Sequence, residues 1–344
     1  MFSILLTAGK GTRMGATDRP KVCLDLAGVP VIVRALETYT RCGIEHHIVV
    51  VGERAGEVAA TICERFPQTI FAYQREQRGT GHAARCGAAV LDAFGYTGAV
   101  LVVVGDRVLT ERCVGGLLDL FRRRRADLCL TVDARENCPD AGRIVEDERG
   151  NIVANVERGD VVRAQLIGRW LDRAREAPLD RDRVRADLLE AFPTERKAQR
   201  AMPKLWSVLE SRAALTTDDL RSCFSPDEAS FQFETPDGTI LRLTGDEIEA
   251  RTRHVNLSVY CFRAEALRYV LARLTSANAQ GEEYLTDAIG ILAAARTAEG
   301  SPRFRVVACR IAEPADALTF NTPDELNVLR ERYRQMAPPS SLRQ

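Results

Sequence analysis

The first 135 residues alternate two patterns, and that alternation restricts the fold more than any other feature of the chain. Short apolar runs fall at Phe2–Leu6, His47–Val51, Thr69–Tyr73, Ala99–Val104 and Asp127–Val132. Amphipathic stretches lie between them, near Val29–Arg41, Ala55–Arg65, Gly79–Phe94 and Glu111–Arg124. Strands alternating with helices of this length imply βαβ units and a mainly parallel sheet. Ligands of such sheets sit at the carboxyl ends of the strands.

The alternation then stops. Gly142–Glu157 reads as a hairpin turning at Gly150-Asn151. Residues 158–250 are rich in Arg, Asp and Ala, with helical patterning around Val162–Ala174, Val184–Phe192 and Lys204–Leu215. In the second of these, Val184, Leu188, Leu189 and Phe192 fall on one helical face. Ser230–Phe233 and Thr239–Leu243 flank Pro236-Asp237-Gly238, a hairpin turn. From Val255 the first pattern resumes: strand Val255–Phe262, helices Ala264–Leu274 and Tyr284–Arg296, strand Phe304–Cys309 and helix Asp324–Met336. The expected organisation is an α/β catalytic unit made of 1–157 and 251–335. A mainly helical subdomain, 158–250, is inserted into it, and 336–344 forms a loose tail.

Composition narrows the function. Forty-eight basic residues balance 48 acidic ones, which argues against a nucleic-acid or membrane-surface binder. No apolar run approaches membrane-spanning length, and the apolar start lacks the basic residues of a targeting segment. The 10 cysteines form no CxxC pair, so reduced thiols and a cytoplasmic location are expected. The basic residues are all arginines except Lys10, Lys21, Lys197 and Lys204. Histidines 46, 47, 82 and 254 show no ligand spacing and read as structural.

Two of the lysines lie in Leu5-Leu6-Thr7-Ala8-Gly9-Lys10-Gly11-Thr12-Arg13-Met14-Gly15, followed by Arg19-Pro20-Lys21, directly after the first strand. Glycines there let backbone N–H groups approach phosphate oxygens as an anion nest. Arg13 can fork onto phosphate and Lys21 can supply a compact charge. The spacing is GxGxxxG, neither a Walker A loop nor the dinucleotide fingerprint. Asp106 follows the strand Ala99–Val104, where a carboxylate suits Mg²⁺; taken alone, it could equally cap the helix near Thr110.

The segment LLTAGKGTRMGATDRPK resembles the signature of the sugar-1-phosphate nucleotidyltransferases, most of all the uridyltransferase domain that makes UDP-N-acetylglucosamine. Further blocks continue the likeness in the family's order: Gln74–Ala83, Gly105-Asp106, Gly142-Arg143-Ile144, Val156-Glu157, Asn256, Tyr284–Asp287 and Phe320-Asn321-Thr322. The resemblance implies a Rossmann-like nucleotidyltransferase fold with a mainly parallel mixed sheet. It also implies Mg²⁺-assisted, in-line attack of a sugar 1-phosphate on the α-phosphate of a nucleoside triphosphate, with UTP and N-acetylglucosamine 1-phosphate as expected substrates. An anionic nucleophile needs no base, and none is visible, so catalysis would rest on positioning and charge. By similarity, Leu6, Ala8, Gly9, Gly11 and Arg13 hold the nucleotide, and Lys21 sits at the reacting phosphates. Gln74, Gln77, Gly79 and Thr80 would read the base; Thr80 could instead cap the helix that follows. Asp106 and Asn321 would hold the metal, although Asn321 could also cap the last helix. Gly142, Glu157, Asn256 and Thr286 match sugar-contacting positions; a hairpin glycine, a strand-end glutamate, a strand asparagine and a helix-start threonine are their plainer readings.

The sequence departs from the closest relatives' pattern at Thr7, Val104, Val108 and Leu257-Ser258, mostly on the acceptor half, and no hexapeptide-repeat acetyltransferase half follows. The insertion begins and ends beside the expected sugar site, either as a wall of the acceptor pocket or as a module for stability or assembly. Rival functions are a cytidylyltransferase or molybdenum-cofactor nucleotidyltransferase on another phosphorylated acceptor, and a silent nucleotide-binding subunit.

Overall fold

The computed structural model describes residues 1–9, 14, 18–192, 194–276, 278 and 281–336. Lys10, Gly11 and Arg13 of the glycine-rich segment, and most of the expected tail, lie outside them.

A nine-stranded sheet carries the fold. In chain order its strands are β1 (Phe2–Leu6), β2 (His46–Val51), β3 (Ile70–Tyr73), β4 (Ala99–Val104), β5 (Leu128–Ala134), β6 (Gly142–Glu146), β7 (Ile152–Val156), β10 (His254–Arg263) and β11 (Val306–Arg310). A separate hairpin supplies β8 (Ser230–Glu234) and β9 (Ile240–Thr244). All sheet strands except β7 and β10 run the same way. The order β7-β6-β10-β4-β1-β2-β3 has β5 alongside β10, and β11 on β5.

The apolar runs form strands because both faces are covered, as in parallel sheets generally. Ile4, Ile48 and Val102 face one core, and Leu5, Val49 and Val103 face the other. Helices α3 (Thr80–Ala93), α11 (Ala264–Leu271) and α12 (Ala288–Ala293) cover the first side; α1 (Val31–Arg41), α2 (Ala55–Cys63) and α4 (Glu111–Arg124) cover the second. Leu6 is in register with both Val50 and Val104. After β1 the chain builds outward through β2 and β3, then returns to lay β4 on the other side. A crevice opens at such a switch point.

Residues 158–250 form α5 (Arg158–Arg173), α6 (Arg181–Ala191), α7 (Glu195–Ala201), α8 (Pro203–Ser211), α9 (Thr217–Cys223), the β8–β9 hairpin and α10 (Gly245–Arg251). Leu166, Ile167, Trp170, Leu188, Leu205, Trp206, Leu220 and Phe224 make a core of their own. A second cluster, with Val161, Leu243 and Ile248 against Val145, Val153 and Val156, joins the block to the β6–β7 hairpin.

Three local expectations need correction. Leu189 is 43% exposed; the inward position is Asp187, whose Oδ2 accepts from Trp170 Nε1 at 3.0 Å. The helix expected over Lys204–Leu215 ends at Ser211, because Ala214–Leu215 pairs with Leu179–Asp180 instead. The helix expected over Tyr284–Arg296 is broken: Tyr284 is extended, Leu285–Asp287 is a 3-10 turn, and α12 covers only Ala288–Ala293. Leu285 N is held by Thr80 Oγ1 at 3.0 Å, which draws this segment onto the start of α3.

Candidate active site

The crevice at the carboxyl end of β1 and β4 is a pocket of about 450 Å³. Its floor follows from register: Thr7 N donates to Val50 O at 3.0 Å, and Gly105 N donates to Leu6 O at 2.9 Å. Leu6, Ala8, Gly9, Gln74, Gln77, Gly79, Thr80, Lys21 and Asp106 all line it.

Lys21 is the hub. Its Nζ pairs with an Asp106 carboxylate oxygen, reaches Asn321 Oδ1 at 3.3 Å and stands 4.9 Å from the centre of the Phe320 ring. Three segments remote in sequence thus bring two hard oxygen donors to one ammonium. The capping alternatives resolve against Asp106 and Asn321. Thr110 caps α4 by accepting from Cys113 N at 3.2 Å, and Thr322 Oγ1 accepts from Glu325 N at 3.2 Å. Among the described residues, no three His, Cys, Asp or Glu side chains converge on a metal position.

The loop from Gln74 to Thr80 is tied down. Gln77 Nε2 donates to Ala8 O at 2.6 Å, while Gln74 is buried with its amide against Gly79 O (3.3 Å) and His82 Nδ1 (3.0 Å). Gly79 has φ +105°, and a Cβ there would sit 2.4 Å from Glu283 O. Only glycine allows the loop to close against that backbone. His47 is likewise structural, bound to Ser3 at 2.8 Å and Thr40 at 3.0 Å, and burial lowers it to about 4.

A second pocket, about 560 Å³, opens between the inserted block and the sheet. Glu157 lines it, at the start of α5. Burial, above all, pushes this carboxyl above its usual range, with Asn155 pulling the other way. Asn155 Nδ2 donates to Glu157 Oε1 at 3.1 Å. The other three acceptor candidates are not among the residues that line this pocket. Thr286 Oγ1 is buried without a hydrogen-bond partner. Gly142 underlies Asn155, whose Oδ1 would lie 2.5 Å from any Cβ added there. Asn256 uses its amide within β10: Nδ2 donates to Tyr260 OH at 2.7 Å and Oδ1 accepts from Ser258 N at 2.9 Å. These bonds brace an irregularity in the pairing with β5, where Ser258 takes φ +57°.

The model of the MobA-like NTP transferase domain matches residues 3–214. The chain belongs to that family. The match runs past Glu157 into the inserted block. "Bifunctional protein GlmU" of Mycolicibacterium gilvum is 28% identical over 294 residues, covering 84% of this chain and 42% of the relative. The protein of the same name from Cutibacterium acnes is 28% identical over 309 residues, covering 90% and 53%. The chain therefore spans about half the length of these relatives or less. The crystal structure of UDP-glucose pyrophosphorylase complexed with UDP-glucose superposes with a TM-score of 0.54 at 12% identity, over 98% of this chain and 99% of that one, which shows a shared fold. No helix among the described residues is long and apolar enough to cross a membrane.

Sequence reasoning missed Asn155, Asp160, Arg163, Arg200, Phe231, Phe233, Tyr284 and Asp287 in the lining of the second pocket. For Asp160 the signal was proximity to Glu157, and for Tyr284 and Asp287 proximity to Thr286. Arg163, Arg200, Phe231 and Phe233 gave none.

Proposed function

We propose that this chain transfers a nucleoside monophosphate from a nucleoside triphosphate to a sugar 1-phosphate, releasing pyrophosphate. UTP is the expected donor, and N-acetylglucosamine 1-phosphate the first acceptor to try. The observation that carries this reading is the meeting of Lys21, Asp106 and Asn321 at the edge of the switch-point pocket. An acceptor phosphate oxygen forms a bond to the α-phosphorus as the bond to the β-phosphate oxygen breaks, and the electron pair leaves with pyrophosphate. The nucleophile is already an anion, so the protein's task is alignment and charge. Lys21 supplies a compact positive charge, and Gln77 and Gly79 hold the loop against the base. Asp106 and Asn321, both hard oxygen donors, fit Mg²⁺; when bound, the ion would neutralise phosphate charge.

The deciding experiment is a pyrophosphate-release screen of UTP, CTP, dTTP, GTP and ATP against a panel of sugar 1-phosphates. Mg²⁺-dependent release is expected, and Asp106→Ala should cost about 10²–10³-fold in kcat or more with an unchanged circular dichroism spectrum. No release with any pair, or near-normal turnover of Asp106→Ala, would overturn the reading.

A further inference from the structure

The last strand of the sheet, β11, is paired on one side only. It runs alongside β5, and no strand of the described residues takes its other edge. The pairing shows which groups that edge offers. Arg305 O accepts from Leu128 N at 3.2 Å, and Ile311 N donates to Val132 O at 3.1 Å, both towards β5. Backbone groups alternate sides along a strand, so the N–H and C=O groups of Val306, Ala308 and Arg310 point away from β5. A row of such groups is a template for one more strand.

A groove of about 1180 Å³ follows this edge. Leu120 and Val307, which pack on the core of one sheet face, and Phe304 and Ala308, which pack on the core of the other, all line it. A cavity lined from both faces of a terminal strand lies along that strand's outer edge. None of its residues lines either pocket described above.

Charge selects the occupant. Arg124, Arg125, Arg303 and Arg305 line the groove, against only Asp127 and Glu146. Asp127 is committed, accepting from Arg263 Nε at 2.8 Å and Arg305 N at 2.9 Å; Glu146 lies 3.5 Å from His254 Nδ1. Arg303 has Glu265 at 3.4 Å. Arg305 Nη1 donates to Arg124 O at 2.8 Å, and no carboxylate of the described residues forms an ion pair with Arg124, Arg125 or Arg305. Two copies of the chain joined edge to edge would set these arginines against one another and against Arg310, an unfavourable meeting of like charges. Residues 337–344 bring Arg343, two prolines and no acidic side chain. A nucleic acid would answer the charge but has no backbone to match alternating N–H and C=O groups. An extended acidic peptide answers both.

We propose that the edge of β11 docks an extended, Asp- or Glu-rich segment of a partner protein, which adds a strand to the sheet while Arg124, Arg125 and Arg305 pair with its carboxylates. The site is independent of the transferase reading.

Fluorescence anisotropy of the full chain with a short labelled peptide of alternating valine and glutamate tests this, with hydrogen exchange read over residues 304–311. Binding should slow exchange across that segment. The same peptide with lysine for glutamate should bind at least about tenfold more weakly. So should the acidic peptide N-methylated at every amide, which keeps the charge and removes the backbone donors. Ala308→Pro removes an N–H at an edge position where proline is tolerated; it should weaken the acidic peptide about tenfold while the circular dichroism spectrum is unchanged. Arg124→Gln combined with Arg125→Asn, at the exposed end of α4, holds the test should Ala308→Pro fail to fold. That pair should weaken binding about three- to tenfold and flatten its salt dependence. An oligouridylate binding as tightly as the acidic peptide, full affinity in the N-methylated peptide, or binding that leaves exchange over 304–311 unchanged would each overturn the proposal. So would a dimer in analytical ultracentrifugation that Ala308→Pro dissociates.

Discussion

Replacing Asp287 with asparagine should stabilise the protein, and by an amount that depends on pH. A carboxyl raised from 3.8 to about 7 on folding contributes no penalty below 3.8, where both states hold the proton. Stability falls as pH climbs from there to about 7, because the unfolded chain releases the proton first. At about 1.4 kcal/mol per pKa unit, the penalty is about 4 kcal/mol at pH 8 and between 1 and 2 kcal/mol (roughly) at pH 5. Asparagine keeps the shape and removes the charge. An unfolding entropy of about 2.1 cal/mol/K per residue gives about 0.7 kcal/mol/K for 344 residues. Asp287→Asn should therefore raise Tm by about 5–6 °C at pH 8 and about 2 °C at pH 5, read by differential scanning calorimetry in matched buffers. An equal gain at both pH values, or no gain at pH 8, would refute the claim that burial, with Glu157 and Asp160 beside it, holds the Asp287 carboxyl above its ordinary range.

Two further perturbations probe the frame. Gly79→Ala places a Cβ against Glu283 O at φ +105°; a loss of about 2–3 kcal/mol, seen as a lower urea midpoint, is expected, and an unchanged midpoint would show that the loop does not clamp there. Trp170→Phe removes the donor to buried Asp187 and should cost about 1–3 kcal/mol. Hydrogen exchange should rise across 158–224 while β1 and β4 keep their protection; a uniform rise would argue against a separate core in the inserted block.

The sheet was legible because a strand buried on both faces must be apolar throughout, and Phe2–Leu6 and Ala99–Val104 are. The switch-point pocket was legible for a related reason, since Ala8, Gln77 and Asp106 lie within a few residues of strand ends that register aligns. Tyr284–Asp287 was misread because helical periodicity says nothing about the hydrogen bond from Leu285 N to Thr80 that breaks the helix. Leu189 was misread because Asp187 satisfies an indole N–H, a demand set by tertiary packing. The insertion's share of the second pocket was invisible: Phe231 and Phe233 look like any hairpin aromatics until the chain folds them into the same lining as Glu157.

Glu157 is both a wall of the second pocket and the residue from which α5 departs, and β10 returns the chain to the sheet a few residues after α10. The block thus joins the rest beside that pocket, while Lys21, Asp106 and Asn321 belong to parts it never interrupts. A change of sequence within the block would therefore reshape the second pocket and leave the strands and loops that carry those three side chains untouched.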